Sequence, residues 1–421
     1  MTDREPGSAR AWAQIYADEF GRVLATLVRL VGDFALAEDA VQEAFEIAWA
    51  RWPEDGPPRH PRAWLISTAR HKAIDRLRRD VRLREIADRL AGEPTRETDM
   101  EPASGDAHDE SIPDERLRLI FICCHPALAP EAQVALALRS LCGLQVEQIA
   151  RAFLCPPATI AQRLVRAKRK IRDAGIAYAV PPPAQFAERL EAVMATLYLV
   201  FNEGHSARAG DDGARAGLCG EAIRLARLLV GLLPGEPEPA GLLALMLLHD
   251  ARRSARADAS GELVTLDRQD RSTWDRAEIA EGLTQCRYAN AVAKPGAYAI
   301  QAAIAAEHAR ATRAEDTRWD RIVEHYDALL ALDPSPVVAL NRAVAVAMAL
   351  GAEPGLREVE ALEQSGELAH FHLLWSTRAE LLRRLGRLVE AESAFRQALD
   401  LAPTPTEKRF LANRISEISR R

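Results

Sequence analysis

The sequence predicts an all-α protein of several domains, and three observations carry that prediction. Ala, Leu and Arg abound while aromatic residues make up only 5% of the chain, a composition that favours helix. Apolar residues recur at spacings of three and four, the period of an amphipathic helix. One 14-residue pattern also occurs three times, as in a helical-repeat array. At 421 residues the chain is too long for one small core, so two to four domains are expected.

Composition excludes several classes. Charged residues at 28%, apolar ones at 48% and a net charge of −6 describe an ordinary soluble globular chain. MTDREPGSAR (1–10) lacks the apolar core of a signal peptide. The longest strongly apolar run, GLLALMLL (241–248), is far shorter than the about 20 residues that span a bilayer, so a cytoplasmic protein with no membrane partner is expected. The six cysteines, at 123, 124, 142, 155, 219 and 286, form no C-x-x-C, and Cys123-Cys124-His125 is too compressed for tetrahedral zinc. They read as buried reduced thiols, with no metal site. No Walker loop, G-x-G-x-x-G, H-E-x-x-H or G-x-S-x-G occurs, so neither a cofactor nor an enzyme is expected.

The first ninety residues read as helices. From Asp33, DFALAEDAVQEAFEIAW carries Val41, Phe45 and Trp49 as an apolar stripe, with Asp39, Gln42, Glu43 and Glu46 as a polar stripe on another face. WPEDGPPRHP (52–61) reads as a loop because Pro and Gly crowd it. A helix then starts near Arg62, with Ile66, Ala69, Ala73 and Leu77 as its buried line and Lys72, Arg76 and Arg79 as its basic one. Its stretch ARHKAIDRLRRD (69–80) holds five Lys/Arg in an otherwise slightly acidic protein, with Asp75 expected to pair with a neighbouring Arg. Trp64 suits either base stacking or core packing. Residues 92–115 then hold nine Asp/Glu and one Arg with three prolines and no apolar periodicity, the signature of an acidic linker.

Helices resume near Pro113. GLQVEQIARAFLCPPATIAQRLVRAKRKIR (143–172) reads as a helix-turn-helix. Val146, Ile149, Ala150 and Phe153 mark the first helix, Leu154-Cys155 the break, and Pro156-Pro157 suit the start of the second. Ile160, Leu164, Ala167 and Ile171 form its buried line, and Thr159, Arg163, Arg166 and Lys170 repeat that spacing on an exposed stripe. Arg151 to Arg172 contains seven Lys/Arg and no acid, the split a helix needs to enter a major groove.

VPPPAQF (180–186) marks a Pro-rich boundary. Beyond it EAIRLARLLVGLLP (221–234), RIVEHYDALLALDP (321–334) and EAESAFRQALDLAP (390–403) superpose at offsets of 100 and 69 residues, close to three and two of the ~34-residue tetratricopeptide period. Trp375, Ala379, Ala391, Phe395, Ala398 and Pro403 fit the packing positions of that motif, and residues 251–290 depart from it. In FNEGHSARAG (201–210), Asn202, Glu203, Gly204 and His205 stand out. Their spacing argues against a helical zinc pair, and an interhelical cap or a protein-contact motif suits them better.

Taken in order, these pieces resemble an extracytoplasmic-function (ECF) sigma factor of bacterial RNA polymerase, of the subgroup with a tetratricopeptide-like C-terminal extension. DFALAEDAVQEAF resembles region 2.1–2.2, which implies core-polymerase contact at the clamp coiled coil through Asp39, Gln42, Glu43 and Phe45. HPRAWLISTARHKAIDRLRR resembles regions 2.3–2.4, implying contact with the −10 element, melted to single strands, through Arg62, Trp64, Arg70, His71, Lys72, Arg76 and Arg79. GLQVEQIARAFLCPPATIAQRLVRAKRKI resembles region 4, implying reading of the duplex −35 element through Thr159, Gln162, Arg163, Arg166, Arg169 and Lys170, with the polymerase beta flap as a further partner. His71 stands where many members have Asn, Leu154 replaces the usual turn Gly, and Pro156 the usual capping Ser. YLVFNEGHSA (198–207), GLLALMLLHDARRSAR (241–256), QDRSTWD (269–275), QAAIAAEHA (301–309) and SPVVALNRAVAV (335–346) resemble the extension of that subgroup. The implied domains are region 2 (1–91), acidic linker (92–112), region 4 (113–179) and a regulatory repeat domain (180–421) docked intramolecularly on the sigma domains. Two rival readings are a helical-repeat transcriptional activator that does not replace a sigma factor, and an enzyme on the C-terminal half.

Overall fold

The computed structural model describes residues 6–91, 112–153, 155–176, 178–205, 213–258, 264–403 and 405–419. Nearly all of the acidic linker, the break at Leu154 and the end of the FNEGHSARAG segment lie outside the described residues. Among the described residues the regular elements are eighteen α-helices and three short 3-10 turns. Contacts divide the chain into two units, Met1–Glu203 and Gly204–Arg421.

The first unit opens with α1 (Pro6–Val31), α2 (Phe34–Asp55) and α3 (Pro61–Ala91). Gly32 takes φ 74° between α1 and α2, a conformation that favours glycine. Asp33 then caps α2 by accepting the Leu36 N–H at 2.9 Å. Ala37, Val41, Ala44, Phe45, Ala48 and Trp52 run down one face of α2 and are buried against α1, whose Phe20, Leu24 and Leu27 are fully enclosed. The expected loop 52–61 shrinks to residues 56–60, because α2 continues through Trp52, which is buried. Two expected core positions shift as well. In α3 the buried line is Leu65, Ala69 and Ala73, with Ile66 only half-buried. Leu77 is 37% exposed, since α3 runs on past the start of α2, and Trp49 is 36% exposed.

The unit continues with α4 (Ile112–Cys123), α5 (Pro130–Ser140), α6 (Val146–Ala152), α7 (Pro157–Asp173) and α8 (Pro183–His205). α1, α4, α6 and α7 all pack on α5, so α5 is buried continuously from Gln133 to Ser140. Five of the six cysteines are buried and Cys155 is half-buried, all as free thiols. The contact boundary falls at Glu203 and not at the Pro-rich junction, because α8 packs back onto α4 and α5. Phe186 meets Phe121 at 5.7 Å, Arg189 donates to the Phe121 carbonyl at 2.7 Å, and the Thr196 hydroxyl donates to Gln133 Oε1 at 2.9 Å.

The second unit holds α9 (Gly213–Leu232), α10 (Pro237–Asp250), α11 (Arg276–Ala289), α12 (Ala297–Arg310), α13 (Trp319–Leu332), α14 (Pro336–Leu350), α15 (Ala352–Ser365), α16 (His372–Arg384), α17 (Leu388–Leu401) and α18 (Pro405–Ser419). Each helix from α12 onward packs on the next. The repeat register survives in the helix ends: α9, α13 and α17 stop at Leu232, Leu332 and Leu401, each two residues before a proline. The pair α13–α14 starts at 319 and 336 and the pair α17–α18 at 388 and 405, so the offset of 69 holds for both helices. Trp375, Ala379, Ala391, Phe395 and Ala398 share one core, as the motif requires, while Pro403 sits exposed at the end of α17. Among the described residues, the off-pattern stretch 251–290 holds two 3-10 turns, Arg253–Ala255 and Arg271–Thr273, followed by α11.

α10 is apolar nearly all round because α9, α11 and α12 enclose it. Gly241 allows the start of α12 to approach: a Cβ there would lie 2.6 Å from the Ala299 nitrogen. Glu238, one turn earlier, accepts the N–H groups of Tyr298 and Ala299 at 3.0 and 3.1 Å and so caps α12 from a neighbouring helix. Gly241→Ala is therefore expected to cost about 1–3 kcal/mol through overpacking, read as a lower urea midpoint for the full chain.

Candidate functional site

In α7 the predicted division between faces is present. Ile160, Leu164, Ala167 and Ile171 are buried, while Gln162, Arg166, Arg169 and Lys170 are exposed and Thr159 and Arg163 half-buried. Pro156 occupies the N-cap in extended conformation without a side-chain cap bond, and α7 begins at Pro157. Arg169 pairs with Asp173 at 3.1 Å on this exposed surface. The face can therefore donate several hydrogen bonds from guanidinium and ammonium groups while the opposite face anchors it to α5 and α6.

Asp39 and Glu43 of the polar stripe on α2 face the basic line of α3. Arg76 lies 2.7 Å from Asp39 and also bonds Glu43, and Lys72 lies 3.6 Å from Glu43. Residues expected to meet the polymerase and residues expected to meet DNA thus neutralise one another in the free chain. Arg62 is held by Glu19 at 2.6 Å, and Gln42 donates to Glu38 at 3.1 Å. Arg70, His71 and Arg79 are exposed. Asp75, expected to pair within its helix, stands exposed with no ion pair among the described residues, while Arg76 turns towards α2 instead. Trp64 is half-buried and meets Trp52 edge-on at 5.5 Å, so packing claims part of its ring. Phe45 needs a correction: it is only 3% exposed, wedged against Tyr16 and Phe20, because it belongs to the apolar face of α2. The edge of Phe45 still lines a groove of about 230 Å³, together with Gln42, Glu46, Trp49 and Gln145.

Sequence reasoning missed the residue that ties these helices together. Glu38 of α2 is 1% exposed. Its carboxylate meets Arg139 of α5 at 3.2 Å and Lys168 of α7 at 2.6 Å. Arg139 also donates to the Leu144 carbonyl at 3.0 Å and to Gln145 at 2.9 Å. The available signal was positional: Glu38 sits between Ala37 and Val41 on the apolar face, and Lys168 follows Leu164 by one turn.

In the C-terminal motif, Asn202 hydrogen-bonds the Tyr198 phenol one turn back, and Gly204 is buried. The His205 ring lies 5.7 Å from that of His249 at the end of α10. Among the described residues, ring nitrogen, thiol and carboxylate atoms of His205, Cys219 and Asp250 lie within 4.8 Å of one another, brought from three different helices. Burial, with Arg256 and Arg252 nearby, lowers the His205 imidazole to about 3, and burial lifts the Cys219 thiol to about 12. Both groups are therefore neutral at physiological pH.

Comparison with known proteins agrees with this geometry. Family models match Sigma-70 region 2 over residues 15–83, Sigma-70 region 4 over 118–171, a family of unknown function (DUF6596) over 189–290 and a tetratricopeptide repeat over 372–405. An uncharacterized protein of Rhizobium meliloti is 45% identical over 400 residues, covering 94% of this chain and 93% of that protein. The probable ECF RNA polymerase sigma factor SigI of Mycobacterium tuberculosis is 32% identical over 154 residues, 37% of this chain and 52% of SigI. The ECF RNA polymerase sigma factor SigK of Mycobacterium bovis is 27% identical over 165 residues, 39% of this chain and 84% of SigK. Two sigma-70 helical domains in this order define the class as a transcription initiation factor that works with core RNA polymerase and promoter DNA. The chain belongs to the extracytoplasmic-function family of sigma factors, as an alternative sigma factor with a tetratricopeptide-containing C-terminal extension. Among the described residues no helix is long and apolar enough to cross a membrane.

Glu38 gives this subsection its test. Removing one partner of a buried pair leaves an uncompensated charge, at a cost of about 3–5 kcal/mol. Glu38→Ala is expected to lower the unfolding free energy of the first unit by that amount, read from urea unfolding of the full chain followed by far-UV circular dichroism.

Proposed function

We propose that the chain directs core RNA polymerase to its promoters through two surfaces of the first unit, with residues 1–91 acting as region 2, 92–112 as the linker and 113–179 as region 4. Asp39, Gln42 and Glu43 of α2 dock on the clamp coiled coil, with Trp49 beside them. Arg62, Trp64, Arg70, His71, Lys72, Arg76 and Arg79 hold the melted −10 element. Thr159, Gln162, Arg163, Arg166, Arg169 and Lys170 read the −35 element, close to the beta flap. The observation that carries this reading is the two-faced α7, apolar against α5 and α6 and cationic outward. Magnitudes support the partner exchange it requires. The Arg76 pairs with Asp39 and Glu43 are one-third to one-half exposed, and such pairs contribute only about 0.2–1 kcal/mol, so polymerase and DNA can replace them cheaply. On this reading the protein lends affinity and specificity in the cytoplasm and leaves the chemistry to the polymerase.

The two halves of the α7 surface are expected to fail differently. Arg163→Ala removes a side chain assigned on this reading to a guanine edge, worth about 1–3 kcal/mol of discrimination, and is expected to relax −35 preference in a promoter-library transcription assay. Lys170→Ala lowers affinity for all sequences alike and reduces the salt slope of binding by about 1.

The second unit, on the same reading, docks on the sigma domains and is required for activity. Covalent linkage gives an effective concentration on the order of mM, enough to keep a weak contact occupied. The informative truncation leaves α8 in place, since α8 packs on α4 and α5. Transcription in vitro with purified core polymerase is expected for the full chain with no other sigma factor present, and to be lost when the chain ends at His205. Dependence on another sigma factor would identify an activator; full activity of the truncated chain would make the second unit a passenger.

A further inference from the structure

Several phrases of the C-terminal sequence are given no role by the polymerase and promoter contacts proposed above: the FNEGH, HDARRSAR, QDRSTWD and AAEHA segments. They are far apart in the chain, yet the second unit assembles them in one place. Arg252 Nη2 lies 3.2 Å from His249 Nδ1, and Arg256 donates to the His205 carbonyl at 2.6 Å. Arg271 donates to the carbonyls of His308 and Ala311 at 2.7 and 2.8 Å and lies over the Trp274 ring at 5.0 Å. His308 feels both Arg271 and Arg252, which links the two ends of the group.

Of the carboxylates in these segments, Asp250 is engaged by Arg253 at 2.8 Å, Asp270 by the Ser272 N–H at 2.9 Å, Asp275 by the Ala277 N–H at 2.8 Å and Glu307 by Arg310 at 2.8 Å. Among the described residues Arg252, Arg256 and Arg271 form no ion pair, and their acceptors are a ring nitrogen, backbone carbonyls and the Thr317 hydroxyl. Asp316 acts on Arg271 only from a distance and is itself paired with Arg313 at 3.2 Å. Burial, with Arg256 alongside, lowers Arg252 to about 10, which still leaves it cationic at neutral pH. The imidazoles carry no charge there: burial and the arginines lower His308 to about 4, His205 to about 3, and His249 well below its usual range. Among the described residues, three guanidinium groups are thus left without a direct ion pair.

The hydrogen bonds have a deficit of the same sense. Arg271 is only 6% exposed, and among the described residues its Nε and the Trp274 Nε1 are buried donors without an acceptor. Native structures ordinarily satisfy buried donors and pair buried charges. Both deficits ask for an acceptor-rich anion, which guanidinium forks bind well. We propose that Arg252, Arg256 and Arg271 form a binding site for a small oxyanion, presenting a phosphoryl or carboxylate group to the second unit. The nearby His205, Cys219 and Asp250 atoms could in principle bracket a metal, but Arg252, Arg253 and Arg256 all act on His205, and a divalent cation would enter a field of its own sign.

The test is thermal unfolding of the full chain with pyrophosphate, citrate or zinc chloride, each against sodium chloride at matched ionic strength. Pyrophosphate or citrate is expected to raise the midpoint saturably, and the anion that does so names the phosphoryl or the carboxylate source. Arg252→Gln/Arg256→Gln is expected to weaken that response at least tenfold. It removes cations that form no ion pair among the described residues, so the unliganded variant should melt no lower than the wild type. If it does not fold, equilibrium dialysis of Arg271→Lys against pyrophosphate or citrate, whichever binds the wild type, supplies the comparison, with the same tenfold loss expected. No saturable shift with either anion, or an equal shift in the variant, overturns the proposal. So does stabilisation by zinc alone that is lost in Cys219→Ser.

Discussion

A carboxylate with 1% exposure organises the first unit. Glu38 sits on the apolar face of α2, where a charge is tolerable only if cations are delivered to it. α5 delivers Arg139 and α7 delivers Lys168. A buried ion pair stabilises a fold weakly compared with apolar packing, but its geometry admits one arrangement and penalises others. The surroundings are built to match. Gly21 of α1 lies so close to the Leu141 carbonyl that a Cβ would stand 3.2 Å from it, and Gly143 lies against the Tyr16 ring. The Tyr178 hydroxyl reaches back to the Ala25 carbonyl at 2.8 Å.

Exposure separates two kinds of ion pair here, and with them two kinds of consequence. Those of Arg76 with Asp39 and Glu43 lie in high dielectric and can be traded for pairs with another molecule at little cost. The Glu38 pairs cannot be traded in that way. The exposed pairs and the buried joint thus use the same residue types, α2 acids with bases from α3, α5 or α7, at neighbouring positions. What distinguishes them is depth.

In the second unit regularity and irregularity divide the work. The regular helix pairs from α13 to α18 bury small residues where helices touch, as at Ala379, Ala391 and Ala398, and derive their stability from stacking on neighbours. The irregular stretch after α10 replaces a helix with short 3-10 turns. Within that stretch Arg271 is buried and Arg252 and Arg256 are half-buried.

The sequence by itself determined the helical class, the order of the pieces and their faces. Period and composition are local properties, so the buried line of α7 and the 69-residue repeat offset could be read from spacing alone. The acidic and basic stripes of α2 and α3 were equally legible. Only the tertiary structure decided that Asp39 and Glu43 face Arg76, that Phe45 is core, and that α8 as far as Glu203 belongs with the first unit. It alone joined Glu38 to residues more than a hundred positions away, and gathered His205, His249, Arg252, Arg271 and His308 from four separate segments. The physical reason is common to all of these. Helical spacing states which face a side chain occupies, whereas burial and charge pairing depend on which other face arrives there, and that is set by packing between helices distant in the chain.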